Sequence, residues 1–218
     1  MNENMKSYLH FDNTQPSALP PEFAGDDVRF SEDFARHFIQ EYTQPGQVVF
    51  DPFAGFGTTL LTAESIDRIP SGIEFDPQRA AYIQSRLQHP EHLILGDARR
   101  LSEYDLPDFD FSLTSPPYMS KGDREDPFSA YTQMGRGYAA YLQDLQGIYR
   151  QVRLKMKPDA HVVVEVSNLK GLVDVTPLAW DAAAALSQVL TFEGEIILAW
   201  DHYYGYGYDH SYALVFSR

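Results

Sequence analysis

The 218 residues predict an α/β fold, a parallel sheet covered by helices on both faces and closed by a C-terminal antiparallel hairpin. Three observations carry this. Short apolar runs alternate with segments of helical period. The first run passes through a glycine-rich turn, DPFAGFGTT (Asp51 to Thr59), straight into a helical segment. The last two runs, GEIILAW and SYALVFS, are separated only by a Tyr/Gly-rich loop, so they pair antiparallel, as mixed sheets allow.

In chain order, residues 1–25 contain NTQPSALPPEF, Pro-rich and weakly patterned, and read as an irregular arm. Residues 26–218 read as one domain. SEDFARHFIQEY places Phe34, Phe38, Ile39 and Tyr42 at helical spacing, with Ser31 as N-cap. Pro45-Gly46 turns the chain into a buried strand, Val48–Phe50. TTLLTAESI is helical, and Gly72–Phe75 is the second strand. Asp76 caps PQRAAYIQSRLQ, with Pro77 at the first helical position. His92–Leu95 and Phe109–Ser115 are the third and fourth strands. A longer helix, roughly Tyr138 to Met156, carries Tyr141, Leu145, Ile148, Tyr149 and Val152 on one face. His161–Val166 is the fifth strand, and Thr176-Pro177 opens a last helix through AWDAAAALSQVL.

Composition narrows the class. There is no cysteine, which excludes disulfides, iron–sulfur clusters and a thiolate nucleophile. No apolar run reaches the roughly 20 residues of a membrane span. The N-terminus lacks a basic-then-apolar signal pattern, so the chain is read as cytoplasmic. The net charge of −14 is the opposite of what a dedicated DNA binder shows.

Chemistry gathers at the carboxyl ends of the strands, where open α/β sheets bind ligands. The DPFAGFGTT loop lacks the Gly-Lys-Ser/Thr of a phosphate-binding loop and the third glycine of the dinucleotide fingerprint. Taken alone, its lesser alternative is a tight turn without a ligand. The second strand ends in Glu74, where an acid accepts hydrogen bonds from a ribose diol, and the third ends in Gly96-Asp97. Either acid alone is also a plain helix cap. Three such features at successive strand ends describe a nucleoside-type cofactor site. The fourth strand then stops at Thr114-Ser115-Pro116-Pro117-Tyr118, a rigid elbow without backbone donors at its two prolines.

Together DPFAGFGTT and TSPPY resemble the amino-methyltransferase branch of the S-adenosylmethionine-dependent methyltransferases. That branch includes DNA adenine and cytosine-amine methyltransferases and related tRNA guanine-amine enzymes. The resemblance runs from about Phe30 to the C-terminus. It implies a Rossmann-like, seven-stranded methyltransferase sheet and S-adenosylmethionine as cofactor. It implies Asp51, Ala54 and Gly55 around the methionine part, Glu74 on the ribose and Asp97 on the adenine amine, with Val28–Ser31, hence Phe30 and Ser31, over the methionine tail. Phe53, Gly57, Thr58 and Thr59 of the loop, Phe75 and Ala98 beside the two acids, and Thr114 before the elbow complete the implied set. Phe56 stands where relatives have a small residue; it either packs under the loop or narrows the site.

The elbow then has a chemical reading. An exocyclic amine is a poor nucleophile because its lone pair is delocalised into the ring. Two acceptors on its N–H bonds favour the tetrahedral form that attacks a methyl group. Ser115 Oγ and a main-chain carbonyl, that of Pro116, supply them, and the prolines hold the carbonyl rigid. Tyr118 offers a ring for stacking, and a base within a duplex must first be flipped out. The bland alternative is a Pro-terminated strand with a half-buried Tyr. Many relatives have Asp or Asn in place of Ser115.

Around the elbow, residues 119–137 form a long loop of mixed charge, as lids and recognition elements do. Its Lys121, Arg124 and Arg136 meet phosphates or balance Asp123, Glu125 and Asp126. DHYYGYGYDH (201–210) is an aromatic hairpin tip that stacks on a ligand or does nothing. Its His and Asp spacing fits a hairpin better than a metal site, so no metal is expected. Asn168 is a further candidate at the pocket border. The expected substrate is a nucleic acid presented as structured RNA, as a single strand or by a partner protein, because 31 acidic against 17 basic residues repel a duplex. A protein glutamine amide, a small metabolite and a non-catalytic cofactor-binding subunit are the alternatives.

Overall fold

The computed structural model describes residues 6–15, 18–23, 29–172, 174–202 and 205–218. Ten strands and five α-helices follow in chain order: β1 (Tyr8–Phe11), α1 (Glu32–Tyr42), β2 (Val48–Asp51), α2 (Thr58–Ser65), β3 (Ile69–Glu74), α3 (Pro77–Gln84), β4 (Leu93–Leu95) and β5 (Phe109–Thr114), then α4 (Tyr138–Lys155), β6 (Met156–Val166), β7 (Leu169–Lys170), β8 (Val175–Thr176), α5 (Leu178–Leu186), β9 (Thr191–Trp200) and β10 (His210–Ser217). Eight strands form one sheet in the order β1-β9-β10-β6-β5-β2-β3-β4, and β7 and β8 form a small antiparallel ladder.

The interior strands are apolar on both faces because helices cover both. Along β2, Val48 and Phe50 join the core under α4 and α5, whereas Val49 joins the core under α1. In β6, Val162, Val164 and Val166 face the first side and Val163 the second. The strand-to-helix junctions follow local chemistry. Ser31 Oγ accepts from the Phe34 N–H at the start of α1, and Asp76 accepts from the Gln78 and Arg79 N–H groups at the start of α3.

Two expectations are corrected. The sheet has eight strands among the described residues, not seven, and the N-terminal arm is not irregular throughout, since it contains one strand. Tyr8–Phe11 pairs parallel with Ile197–Trp200, and the ring of Phe11 meets that of Phe34 edge-on at 5.7 Å. A four-residue edge strand buries only one half-exposed face, Leu9 and Phe11, so its alternation was masked by the Pro-rich stretch that follows. Leu19 and Phe23 of the arm are also buried, against Phe56. Val28 of the expected methionine-tail segment and Tyr203 and Tyr204 of the aromatic loop lie outside the described residues.

Candidate active site

β2 and β5 lie side by side and parallel, and the chain leaves them in opposite directions, to β3 and to β6. Such a reversal opens a crevice at the strands' carboxyl ends. A cavity of about 650 Å³ occupies it, lined by the segments that follow β2, β3, β4 and β5. That size is within the range of small-molecule sites.

The loop after β2 is shaped by its glycines. Gly55 and Gly57 have φ of 57° and 83°, the left-handed region that side chains rarely adopt. At Gly57 a Cβ would also stand 2.9 Å from Ile83 of α3. Asp51, 2% exposed, fixes the loop's entry: its Oδ1 accepts from the Phe53 N–H at 2.9 Å and from the Thr114 hydroxyl. Burial pushes this carboxyl up to about 6, against the pull of those hydrogen bonds. Glu74 ties β3 to the same loop. Its Oε2 accepts from the Gly55 N–H at 2.7 Å and its Oε1 from the Asp76 N–H at 2.8 Å. Burial raises it to about 7, partly offset by those two donors.

Of the residues expected at the cofactor, Phe30, Asp51, Phe53, Ala54, Gly55, Thr58, Thr59, Glu74, Phe75 and Ala98 line the cavity, as do all four elbow residues, Ser115, Pro116, Pro117 and Tyr118. Four others lie outside the lining. Ser31 caps α1, Gly57 begins α2, and Thr114 donates to Asp51 from behind. Asp97 is held by Arg99, whose Nε and Nη2 both donate to its carboxylate. The same guanidinium donates through Nη1 to Asp126 at 2.7 Å, so the 119–137 loop is fastened to the segment after β4. Asn168 does not border the cavity; its Oδ1 accepts from the Ala179 N–H in the first turn of α5.

The elbow is fixed by tyrosines. The Tyr141 hydroxyl donates to the Pro117 carbonyl at 3.1 Å, and the Tyr131 hydroxyl donates to the Tyr118 carbonyl at 2.8 Å. Among the described residues nothing donates to the Pro116 carbonyl. Tyr118 itself is 9% exposed, with its ring 5.2 Å from that of Tyr206 at a tilt of 55°. Of the tyrosines that line the cavity, Tyr131 and Tyr206 are the exposed ones, at 48% and 40%.

Phe56 packs rather than merely narrows. Its ring meets Phe23 at 5.3 Å and Tyr82 at 6.2 Å, with the Arg79 guanidinium 4.8 Å from its centroid. In the 119–137 loop, Arg136 pairs with Asp144 at 2.7 Å, while Lys121 and Arg124 have no ion pair among the described residues. Sequence reasoning missed several lining residues: Asn13, Gln15, Arg29, Arg79, Phe128, Tyr131 and Trp200. Asn13 arrives there because its side-chain amide is bonded on both sides to the His202 backbone, and Gln15 donates to the Arg29 carbonyl. No local signal marks such residues; β1 pairing beside β9 brings them in. The Tyr/Gly composition of 201–210 was the one available pointer, and it led to Tyr206.

The donor set fits a nucleoside with a charged tail: a buried carboxylate for a diol, apolar rings from Phe53 and Phe128 stacked at 5.6 Å, and Arg29 and Arg79 in the lining. The family model described as DNA methylase matches residues 3–85. Among solved structures, TrmN from Thermus thermophilus superposes with a TM-score of 0.64 at 17% identity, covering 91% of this chain and 52% of that one. The chain thus spans about half the length of that relative. A TehB-like SAM-dependent methyltransferase from Corynebacterium glutamicum gives 0.60 at 13% identity, covering 90% and 92% of the two chains. An rRNA methylase from Streptococcus thermophilus gives 0.56 at 10% identity, covering 85% and 95%. No curated protein matches the sequence. The family match covers the first part of the chain, through β2 and β3 into α3, and the solved structures share the fold of nearly the whole of it.

Proposed function

We propose that this protein is an S-adenosylmethionine-dependent amino-methyltransferase and that it transfers a methyl group to the exocyclic amine of a nucleic-acid base held outside a duplex. One observation carries the reading: a single cavity is lined both by Asp51 and Glu74, the acids of the cofactor loops, and by the Ser115–Tyr118 elbow. S-adenosylmethionine, when bound, supplies a methyl group activated by its positive sulfur. Glu74 would accept from the ribose diol, and its carboxylate already holds the loop by accepting from the Gly55 and Asp76 N–H groups. Ser115 Oγ and the Pro116 carbonyl accept the amine's N–H bonds, which localises the nitrogen lone pair toward the methyl group. Tyr131 and Tyr206 flank the base at the mouth, and stacking on such rings contributes about 1–3 kcal/mol per base.

Charge selects among nucleic acids. With 31 acidic and 17 basic residues the surface repels a duplex, and of the cations in the loop beside the elbow Lys121 and Arg124 have no ion pair among the described residues. Random duplex DNA should bind with a dissociation constant above about 10⁻⁵ M at physiological salt, near the weak end of non-specific binding. Structured RNA or a single strand avoids the cost of extracting a paired base.

Radiolabelled methyl transfer into duplex DNA, single-stranded DNA, bulk tRNA, protein extract and a metabolite pool tests this. Label in tRNA or single strands is expected. Label confined to protein or metabolites would overturn the nucleic-acid assignment, and sub-micromolar duplex binding in a filter titration would overturn the preference for unpaired bases.

A further inference from the structure

β6 carries a carboxylate where its neighbours are valines. Glu165 lies between Val164 and Val166, opposite Ala213 of β10, and no part of it reaches solvent. A buried carboxylate is kept at a large desolvation cost unless it is hydrogen-bonded. Its Oε2 accepts from the Tyr118 hydroxyl at 3.1 Å. The same phenolic oxygen accepts from the Ser167 N–H at 3.1 Å and from the Ser115 hydroxyl at 3.4 Å.

These contacts have a direction. A backbone N–H only donates, so the Ser167 contact leaves the phenolic proton free to point elsewhere. With Ser167 donating on one side and Glu165 accepting on the other, the phenolic proton points to Glu165. The Ser115 hydroxyl donates to that same phenolic oxygen, and Ser115 lines the cavity. The carboxylate's charge is also felt at the cavity mouth: burial first, and Glu165 second, hold the Tyr206 phenol above its ordinary range.

We propose that Ser115, Tyr118 and Glu165 form a one-way hydrogen-bond chain that draws the surplus proton from the methylated amine, with Glu165 as its terminus and as the residue that positions Tyr118. The inference rests on the amine-methylation reading above. An amine nitrogen that has gained its new N–C bond carries one proton too many. That proton passes to Ser115 Oγ as the Ser115 hydroxyl proton passes to the Tyr118 oxygen and the Tyr118 proton passes to Glu165 Oε2. The step ends with a neutral methylated amine, Ser115 and Tyr118 unchanged in charge, and a protonated Glu165. The proton returns along the same chain once the product has left. The arrangement also accounts for a neutral Ser115 in the clamp: the negative charge that favours proton loss is kept two bonds back, on Glu165, away from the cofactor.

Glu165→Gln keeps the shape and an acceptor for Tyr118 but cannot take a proton; Tyr118→Phe removes the middle link. On the nucleic-acid fraction that takes label from the wild type, each variant should lower kcat by about 10²-fold, the lower end of general acid–base effects. KM and the cofactor dissociation constant should stay within about twofold, and the double variant should be no slower than either single one, as for residues that act as a unit. A fluorotyrosine at position 118 reads the contact without turnover, and its fluorine resonance should move in Glu165→Gln. A Glu165→Gln enzyme with kcat within about twofold of wild type overturns the chain. If the wild type labels no nucleic acid, the amine-methylation reading fails instead. The resonance then decides the contact: a moved signal supports the Tyr118–Glu165 link, and an unmoved one overturns it.

Discussion

Replacing Glu74 by glutamine should change the pH dependence of folding more than it changes folding itself. The carboxyl of Glu74 is 6% exposed and is pushed up from 4.5 to about 7 by burial. A carboxyl whose folded value lies above its unfolded value binds its proton more tightly in the native state. Its stabilising contribution is therefore full below about 4.5 and is lost as the pH rises through about 7. The shift of about 2.5 units corresponds to about 3 kcal/mol, most of it lost between about pH 5 and pH 8. Glutamine cannot ionise, so this slope disappears. A fixed cost appears in exchange. Each carboxyl oxygen accepts one backbone N–H, from Gly55 and from Asp76. Glutamine keeps one acceptor and turns its NH₂ toward the other donor, which costs about 1–3 kcal/mol. The variant should be less stable than wild type by that amount near pH 5 and equal or more stable near pH 8. Urea unfolding of both proteins in the absence of cofactor, at five or six pH values, measures the gap. Some slope should survive in the variant from Asp51, raised to about 6. A gap that stays constant across the range would refute the argument, because it would mean that Glu74 is not desolvated in the folded chain.

Ser115→Ala should lower kcat about 10²–10³-fold, as loss of one hydrogen-bonding partner at a developing charge does, while calorimetry finds cofactor affinity within about twofold; equal losses in both would make Ser115 a cofactor residue. Phe56→Ala removes a 4% exposed ring from the cluster with Phe23 and Leu19 and should cost about 3 kcal/mol in thermal unfolding. It should also open chymotryptic cleavage at Phe23, and unchanged cleavage would show that the arm is held elsewhere. Arg99→Leu breaks the bridge between Asp97 and Asp126. Because the guanidinium is 30% exposed, stability should fall by only about 1 kcal/mol, yet amide exchange across residues 124–136 should rise clearly. Unaltered exchange there would mean that the loop's own turns hold it.

The main elements were legible in the sequence because each is decided locally. Apolar runs of four to six residues, Asp76 followed by Pro77, and Ser31 ahead of an amphipathic stretch are decided within one turn or one strand, and they form where expected. DPFAGFGTT and TSPPY were legible as backbone shapes for a similar reason: their glycines and prolines set the local conformation, so a short string specifies it. Tertiary structure decided what depends on distant pairing. β1 is a strand because β9, nearly 190 residues later, offers it an open edge. Asn13 and Gln15 reach the cavity by that pairing, and Phe56 finds its partners only when the arm folds back. The acids divide along the same line. Glu74 enters the cavity lining from a strand end, as its position suggested. Asp97, equally well placed in the sequence, is turned to Arg99 because that guanidinium lies two residues on with Asp126 beside it. Glu165 carried no signal at all: within HVVVEV it reads as one charge in a strand, and only the fold sets its carboxylate against the Tyr118 hydroxyl from another strand end. Sequence fixes local backbone and burial pattern; the direction and partner of a charged side chain are set by long-range contacts, since hydrogen bonds and charge pairs act over a few ångströms of space whatever the separation along the chain.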